Sequence, residues 1–267
     1  MNQNYLKIQE KIKSGKRIAF DFDITTNELK EMFPIIREAE VLDRFYGNVV
    51  SIIKKNACMF IVNPTLFAHC EGTALNYVLI RACSESSIPF MGECEGVSNT
   101  RIAENSVINY LFTRNHAGGV IIPSTTPENV FSTISKEKGK MVFVNGLVRN
   151  SVKFKIKAEY NINSIIRYSE IIKENDTDSI LGVTVENNIN HVQLAEGSLD
   201  AFGMKYLVMS ALDNIPRTII RLPLTRIFPT ITSFDGKKIN EDMVYEKIAQ
   251  NLQDYLQSNL QTASSVA

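Results

Sequence analysis

The chain contains 267 residues, of which 44% are hydrophobic, and it carries 29 basic and 29 acidic side chains. A chain with this apolar fraction can bury a substantial core, which excludes a disordered or fibrous protein. The zero net charge excludes a general attraction of nucleic acid to the whole surface, although it does not exclude a local basic groove.

No stretch of the chain resembles a membrane span or a secretory signal. A run of about 18 apolar residues is absent, and residues 1–16 are polar, without the apolar segment of a signal peptide. The cysteines show no C-x-x-C spacing and lie among apolar residues. We therefore expect free, buried thiols in a reducing, intracellular setting. They are Cys58, Cys70, Cys83 and Cys94.

The first 38 residues are predicted to form an arm. Residues 5–12 have the spacing of a short amphipathic helix, and residues 17–22 are extended and apolar. Thr25 and Glu28 stand in capping-box spacing, so a second helix is expected to begin near Thr26. This segment has little core of its own, and we expect it to pack against something else.

Residues 47–61 are predicted to form one helix. Their apolar residues recur at i, i+3 and i+4, and the opposite face carries Ser51, Lys54, Lys55 and Cys58. Such a helix can pack into a core while it holds two ammonium groups over a groove. The alternative is an ordinary core helix with two solvated lysines.

Helices are also predicted over residues 66–82 and 100–114, with a loop over 84–98 between them. Arg101 lies in the first turn of the second helix, where a cation opposes the helix dipole by about 0.3–1 kcal/mol. This position indicates either a nearby anion or a solvated arginine. A further helix is predicted from Thr126-Pro127-Glu128 to about residue 135.

The most basic segment of the chain is residues 136–157. Asn145-Gly146 predicts a type I′ hairpin, and residues 152–160 alternate between apolar and charged side chains, as in a strand with one lysine-bearing face. Such a face can bind an anionic partner or can protect a sheet edge. The charged residues of the segment are Lys136, Lys138, Lys140, Arg149, Lys153, Lys155 and Lys157, against Glu137.

In the last third of the chain, helices are predicted over residues 163–173 and 199–212, the latter carrying Lys205 and Tyr206. A hairpin is predicted over 180–185 and 189–194. The apolar stripe that begins at Met243 predicts a terminal helix of about 20 residues.

Catalytic signatures are few. Residues 18–25, IAFDFDIT, resemble the opening motif of the haloacid-dehalogenase phosphatases, in which Asp21 would be the nucleophile and Asp23 the general acid/base. The later motifs of that family do not follow. His69, His116 and His191 are scattered and have no partners at ligand spacing, so no metal site is expected.

Three short stretches suggest a different family. Residues 48–51, NVVS, with the lysines that follow, resemble the stretch NVVSFNK. Residues 99–103, NTRIA, resemble the motif NRLA with one residue inserted, and residues 203–206, GMKY, resemble GYEF. In this order the stretches resemble the nucleoproteins of segmented negative-strand RNA viruses of the bunyavirus order, in particular those of the emaravirus and tospovirus groups.

The resemblance implies a mainly α-helical protein with small β-hairpins, in which a basic cleft between two lobes encapsidates single-stranded genomic RNA. It implies an N-terminal arm (1–38), an N-terminal lobe (39–138), a C-terminal lobe (139–238) and a C-terminal arm (239–267), with the arms exchanged between subunits in rings or filaments. The RNA-binding residues would be Lys54, Lys55, Arg81, Arg101, Arg114, Arg149, Lys153, Lys155, Lys205 and Tyr206.

On this interpretation the protein is not an enzyme, needs no cofactor, and binds RNA, other copies of itself and a viral polymerase. It would be found in the virion and the host cytoplasm, without insertion into a membrane. The alternatives are a haloacid-dehalogenase-like phosphatase that uses Asp21 and Asp23, or a capsid or assembly protein free of nucleic acid.

Overall fold

Eight parallel strands close into a barrel in the computed structural model. The structure describes residues 2–24, 29, 39–63, 81, 83, 85–152, 155–160, 162–175, 178–185, 189–212, 215, 218–234 and 239–264. The barrel strands are β1 (Ile18–Phe22), β2 (Ala57–Val62), β3 (Phe90–Glu93), β4 (Gly119–Pro123), β5 (Met141–Asn145), β8 (Ile180–Val185), β9 (Tyr206–Ser210) and β10 (Ile219–Pro223). Around the barrel their order is β1, β10, β9, β8, β5, β4, β3, β2.

The barrel closes because β1 pairs in parallel with both the second and the last strand of the chain. The remaining two strands, β6 (Leu147–Val152) and β7 (Lys155–Tyr160), form a separate antiparallel sheet between β5 and the next helix. All-parallel sheets need crossover connections of a dozen or more residues, usually helical. The chain therefore has a (β/α)8-type barrel with a two-stranded insertion after its fifth strand.

The described helices are α1 (Gln3–Lys13), α2 (Ala39–Ile53), α3 (Thr100–Ile102), α4 (Glu128–Ser135), α5 (Ile162–Glu174), α6 (Ile189–Asp200) and α7 (Glu241–Ser264). A π-helical segment (Ala103–Arg114) continues α3, and short 3-10 helices lie at Leu224–Arg226 and Ile231–Phe234. None of these helices is both long and apolar enough to cross a membrane.

Two apolar clusters divide the strand side chains between the inside and the outside of the barrel. The inner cluster includes Ala19, Ile61, Met91, Phe143 and Ile219. Most of their sequence neighbours on the strands belong to the larger cluster, which packs against the helices. Successive side chains of a strand point to opposite faces, so this division identifies the inward-facing positions along each strand.

Helix α1 covers the N-terminal end of the barrel. Ile8 is fully buried in the inner cluster, and Tyr5 and Ile12 pack against it. The side-chain amides of Asn2 and Asn4 donate to the backbone carbonyls of Lys140 and Gly139, at 2.9 and 3.3 Å. The amphipathic helix predicted at residues 5–12 is therefore confirmed, and its apolar face seals the barrel floor.

The single helix predicted over residues 47–61 is wrong. Helix α2 ends at Ile53, and β2 begins at Ala57 after a turn at residues 54–56. Every residue of β2 is buried, because a barrel strand is covered on both faces and is therefore apolar throughout. When such a strand follows an amphipathic helix, its continuous apolar residues also match the i, i+3, i+4 spacing of the helix. The sequence pattern therefore does not show where the helix ends.

Several other expectations are also wrong. The loop predicted over 84–98 contains β3, and the apolar helix predicted over 199–212 contains β9. Residues 189–194 lie in α6 and not in a hairpin strand. Asn145-Gly146 is not a hairpin turn, because β5 pairs with β4 and β8 whereas β6 pairs with β7. The helices expected near residues 128–135, 163–173 and 243–260 are present.

The mainly helical, two-lobed fold is therefore wrong. The barrel takes β1 from the predicted N-terminal arm, three strands from the segment 39–138 and four from the segment 139–238. A closed hydrogen-bonded ring that draws on both predicted lobes leaves no cleft between them. The cysteines that the structure describes, Cys58, Cys83 and Cys94, are free, and Cys70 lies outside the described residues.

Gly182 on β8 faces the ring of Phe143 inside the barrel, and a Cβ at this position would overlap ring carbons. We expect Gly182→Ala to lower the free energy of unfolding by about 1–3 kcal/mol, because the packed interior cannot absorb the extra methyl group. Denaturant unfolding followed by circular dichroism measures the change.

Gly197→Ala is the matched control, because a Cβ there meets nothing within 4 Å and the residue lies within α6. Replacing a helical glycine by alanine should stabilise the protein by about 0.5–1 kcal/mol. Equal effects of the two substitutions would contradict the assignment of Gly182 to the packed interior.

Candidate active site

Six polar side chains occupy inward-facing positions at the C-terminal ends of the barrel strands. Five of them lie two residues beyond a member of the inner cluster, and the sixth lies two residues beyond Gly182, which contacts that cluster. Because side chains alternate along a strand, each of the six points to the inside of the barrel. We call these six the mouth residues: Asp21 on β1, Asn63 after β2, Glu93 on β3, Asn145 on β5, Thr184 on β8 and Arg221 on β10.

Three of the mouth residues form an ion triad. The Arg221 guanidinium donates from Nε to Oδ2 of Asp21 at 2.8 Å, and a second bond runs from Nη2 to the same oxygen. Nη1 and Nη2 donate to the two carboxylate oxygens of Glu93 at 3.0 and 2.8 Å. One arginine thus joins carboxylates from the first and third strands through four charge-assisted hydrogen bonds.

The triad is largely withdrawn from solvent. The exposed fractions of the Asp21, Glu93 and Arg221 side chains are 7%, 13% and 20%. Burial raises the pKa of Asp21 to about 6, against the opposing effect of the Arg221 charge, and Glu93 and Asp23 raise it further. Burial by itself would lower the pKa of Arg221, but the two carboxylates raise it above its ordinary value.

The two oxygens of Asp21 differ. Both hydrogen bonds from Arg221 end on Oδ2, and Oδ1 accepts no hydrogen bond from any residue that the structure describes. A carboxyl group held through one oxygen, with no described partner on the other and a pKa near neutrality, has the properties of a general acid or base.

Asp23 lies next along the same inward direction and binds the chain just beyond the last strand. Its carboxylate accepts from the backbone N–H of Thr225 at 3.0 Å and from the Thr225 hydroxyl at 2.6 Å. Thr225 belongs to the 3-10 helix that follows β10. This pair fixes the exit of the last strand against the exit of the first.

The opposite side of the mouth carries neutral polar groups. Asn145 on β5 and Thr184 on β8 are direct neighbours in strand register. The backbone N–H of Gly146 donates to the Thr184 carbonyl at 2.9 Å, and Thr184 is 4% exposed. Its hydroxyl oxygen makes no hydrogen bond with any described residue. Within the described ranges, no group of three or more His, Cys, Asp or Glu could hold a metal ion.

The basic residues predicted to bind RNA do not share one surface. Lys54 and Lys55 follow α2 and precede β2, at the N-terminal end of the barrel. Lys205 precedes β9 at that same end, and Tyr206, its neighbour, packs against the outer cluster. Arg101 instead follows β3, at the C-terminal end.

The remaining predicted residues are equally dispersed. Arg81 is exposed and forms an ion pair with Glu85 at 2.8 Å, and Arg114 is exposed at the end of the π-helical segment. Arg149 and Lys155 lie on the β6–β7 hairpin, and Lys153 lies outside the described residues. Their individual contacts with RNA stay untested predictions, but the cleft in which they were expected to meet is not part of this fold.

The fold and the mouth together define the class of protein: a (β/α)8-type barrel with charged side chains at the C-terminal ends of its strands, where enzymes of this architecture have their active sites. No protein-family model and no curated sequence matches the chain. Several solved structures do resemble it.

The Plasmodium berghei orotidine 5'-monophosphate decarboxylase matches with a TM-score of 0.62 and 13% identity, over 94% of this chain and 98% of that one. The Toxoplasma gondii protein with the provisional name orotidine-monophosphate decarboxylase matches with a TM-score of 0.66 and 12% identity, over 92% and 98%. The Leishmania donovani OMP decarboxylase matches with a TM-score of 0.58 and 14% identity, over 82% of this chain and 88% of that one. At these identities the likeness establishes the fold alone.

These matches overturn the viral interpretation. The resemblance to bunyavirus nucleoproteins is wrong, because the structural relatives are orotidine monophosphate decarboxylase-like barrels. The partners and locations that followed from it, namely RNA, a viral polymerase, subunit exchange, the virion and the host cytoplasm, lose their support. The prediction that the chain is not an enzyme is wrong for the same reason, since the named relatives are enzymes.

The alternatives also fail. A haloacid-dehalogenase phosphatase is not supported by these matches, and the Oδ2 atom of Asp21 is bound by Arg221. The assembly protein free of nucleic acid has no support either, because the matched structures are enzyme-like barrels. Asp21 was singled out from the sequence, but its partners Glu93 and Arg221 were missed. The available signal was the recurrence of short apolar runs that end in a polar residue, as in FDFD, FIVN and FMGE.

Removing the arginine should leave two buried carboxylates without a counter-charge. We expect Arg221→Met to lower the free energy of unfolding at pH 8 by about 3–5 kcal/mol, as when one partner of a buried ion pair is removed. Urea unfolding of the variant and the wild-type protein measures the loss.

Arg44→Met is the matched control, because Arg44 is 60% exposed and pairs with Glu241 on the surface. That change should leave the free energy of unfolding nearly unchanged, because a solvated surface pair contributes little. A loss at Arg221 as small as this would show that the triad is solvated.

Asp21 should titrate far above an ordinary aspartate. We expect a carboxyl midpoint near pH 6, compared with 3.8 for an unperturbed group, because burial disfavours the charged form. Carboxyl carbon resonances of labelled aspartates, compared between the wild-type protein and Asp21→Asn, identify and measure this group.

The same shift predicts the sign of a stability change. Because the folded protein holds this proton more tightly than the unfolded chain, the contribution of Asp21 to stability is fully present below pH 3.8 and is lost as the pH rises through about 6. A midpoint at or below that of exposed aspartates would contradict the assignment.

Proposed function

We propose that this chain is a barrel enzyme that transfers protons to and from a small polar substrate in the mouth, with Asp21 as the acid and base. The observation that carries the proposal is the state of this carboxyl group. Its Oδ2 atom is bound by Arg221, its Oδ1 atom accepts no hydrogen bond from a described residue, and its pKa is raised to about 6.

The position of Asp21 supports a catalytic role. In barrels of this architecture the strand ends at the C-terminal face position the reacting groups, whereas the N-terminal face serves stability. Here the N-terminal end is filled by α1, and apolar side chains occupy the interior up to the mouth. The charged side chains at inward-facing strand positions are therefore confined to the end where the fold places catalysis.

Arg221 and Glu93 would serve as positioning residues. The guanidinium holds Oδ2 of Asp21 through two hydrogen bonds, and Glu93 binds two other N–H groups of the same guanidinium, so that Arg221 has one orientation. A general base needs its accepting oxygen within about 2.6–3.2 Å of the proton it takes. Anchoring Oδ2 in this way limits the positions that Oδ1 can take in the mouth.

Decarboxylation falls within this proposal, because a carboxylate that loses carbon dioxide leaves a carbanion, and this carbon then takes up a proton from the acid. The structural relatives named for orotidine 5'-monophosphate make that compound the reference substrate for an assay. Their names do not fix the substrate of this chain, which shares 13% of its residues with the Plasmodium berghei protein.

Proton transfer can be tested without knowing the substrate. We expect the wild-type protein in deuterium oxide to incorporate deuterium into C–H bonds next to carbonyl or imine groups of at least one compound in a mixed metabolite set. Orotidine 5'-monophosphate is included, and carbon dioxide release is recorded alongside. Mass spectrometry measures the mass gain.

In Asp21→Asn the rate should fall by about 100-fold or more, as expected on removal of a general acid or base. Asp200→Asn, an exposed aspartate at the end of α6, is the control and should match the wild-type protein. Equal rates in Asp21→Asn and the wild-type protein, or no exchange and no carbon dioxide from any compound, would contradict the proposal. Circular dichroism verifies that each variant is folded.

A further inference from the structure

We infer that the substrate group facing the Asp21–Glu93–Arg221 triad is a neutral or cationic hydrogen-bond donor, such as a hydroxyl, amine or amidine, and not a carboxylate or phosphate. The inference rests on the proposed function, because it takes the mouth as the substrate site. It goes further by assigning the charge class of the substrate at the triad.

The first argument is that the arginine is already engaged. Arg221 is the only cationic side chain among the mouth residues that the structure describes. Four of its hydrogen bonds go to two carboxylates of the chain itself. When both carboxylates are ionised, the triad carries a net charge of −1. An anionic substrate group would have to displace one of these bonds or approach a negative cluster, and either is unfavourable.

The second argument concerns the short helix after the last strand, a place where barrels of this architecture frequently bind phosphate. Here the backbone N–H and the hydroxyl of Thr225 both donate to the Asp23 carboxylate. A side chain from β1 therefore occupies donors that could otherwise meet a phosphate oxygen. Arg226, the next residue, is exposed, and its charge reduces the negative field of Asp23 without freeing these donors.

The charge count at these strand ends supports the same class. The triad, Asp23 and the 3-10 helix after β10 together carry three carboxylates and two guanidinium groups, those of Arg221 and Arg226. Their net charge is therefore −1. Carboxylate oxygens only accept hydrogen bonds when ionised. The Oδ1 atom of Asp21 therefore favours a ligand that brings N–H or O–H groups.

The far side of the mouth independently indicates that a ligand binds there. The Thr184 hydroxyl is buried on an inward-facing position and has no hydrogen-bond partner among the described residues. A buried hydroxyl without a partner is unfavourable by roughly 1–3 kcal/mol, and a hydroxyl can both donate and accept. A polar ligand in the mouth would complete its hydrogen bonding without bringing a full negative charge.

The charge class can be measured with three small probes of the same planar shape that differ in charge: benzamidinium, benzamide and benzoate. At pH 8 we expect affinity for the wild-type protein to decrease in that order in isothermal titration calorimetry. The Thr184 methyl resonance should shift on addition of benzamidinium, because the probe occupies the mouth. Tighter binding of benzoate than of benzamidinium would overturn the inference, as would benzamidinium binding that leaves this resonance unmoved or no binding of any probe.

Two variants test the source of the preference. Asp21→Asn and Glu93→Gln each remove one negative charge with little change of shape, and each should weaken benzamidinium binding by about tenfold. Asp200→Asn should leave it unchanged. Unaltered affinity in both triad variants would overturn the inference, and the use of two variants protects the test against the loss of one to misfolding.

The probes carry no C–H bond suited to the proposed proton transfer, so their binding is measured without turnover. If deuterium exchange fails while the charge preference holds, the proposed chemistry is wrong and the recognition of the mouth is right. If exchange is found only for substrates with an anionic group at the triad, the recognition is wrong and the chemistry is right.

Discussion

The pairing of the first strand with the last is the constraint on which the rest of the structure depends. Residues 18–21 of β1 lie in register with residues 220–223 of β10. This parallel pairing turns an open sheet into a ring without edges. The same register brings Arg221 within reach of Asp21, which lies 200 positions earlier in the chain. Barrel closure and assembly of the triad are therefore the same event.

The triad illustrates how the fold separates stability from chemistry. Apolar side chains and α1 supply the burial that holds the ring together, and the ions contribute little net stability because their desolvation offsets their attraction. A buried ion pair could often be replaced by apolar residues without loss of stability. Its presence at the strand ends, and not in the interior below, is the pattern expected of a site that serves a reaction.

The sequence allowed some of this to be predicted. Residues 17–22 are recognisable as extended and apolar, periodicity predicts α1 and the terminal helix, and the motif around Asp21 marks it as a candidate catalytic group. The fold was missed because β2 and β9 are buried on both faces and carry no alternation. Their apolar runs, adjoining a helix or a loop, imitate helical spacing.

The partners of Asp21 could not be found from local pattern. Arg221 and Glu93 are each one polar residue near the end of an apolar run, and nothing in the spacing along the chain joins them. Only the order of strands around the ring does so. Short motif matches suggest a family resemblance instead, and the structure disperses the basic residues that it joined to both ends of the barrel.

The position of α1 against the N-terminal end of the barrel also limits the order in which the protein can fold. The asparagines at the start of this helix bind carbonyl groups 138 and 135 positions later in the chain, at residues 140 and 139. These two bonds form only once the segment that leads into β5 is in place, and the ring closes only when β10 pairs with β1. Folding dominated by such distant pairings is intrinsically slow. Until these pairings form, the apolar face of α1 lacks part of the inner cluster that buries Ile8.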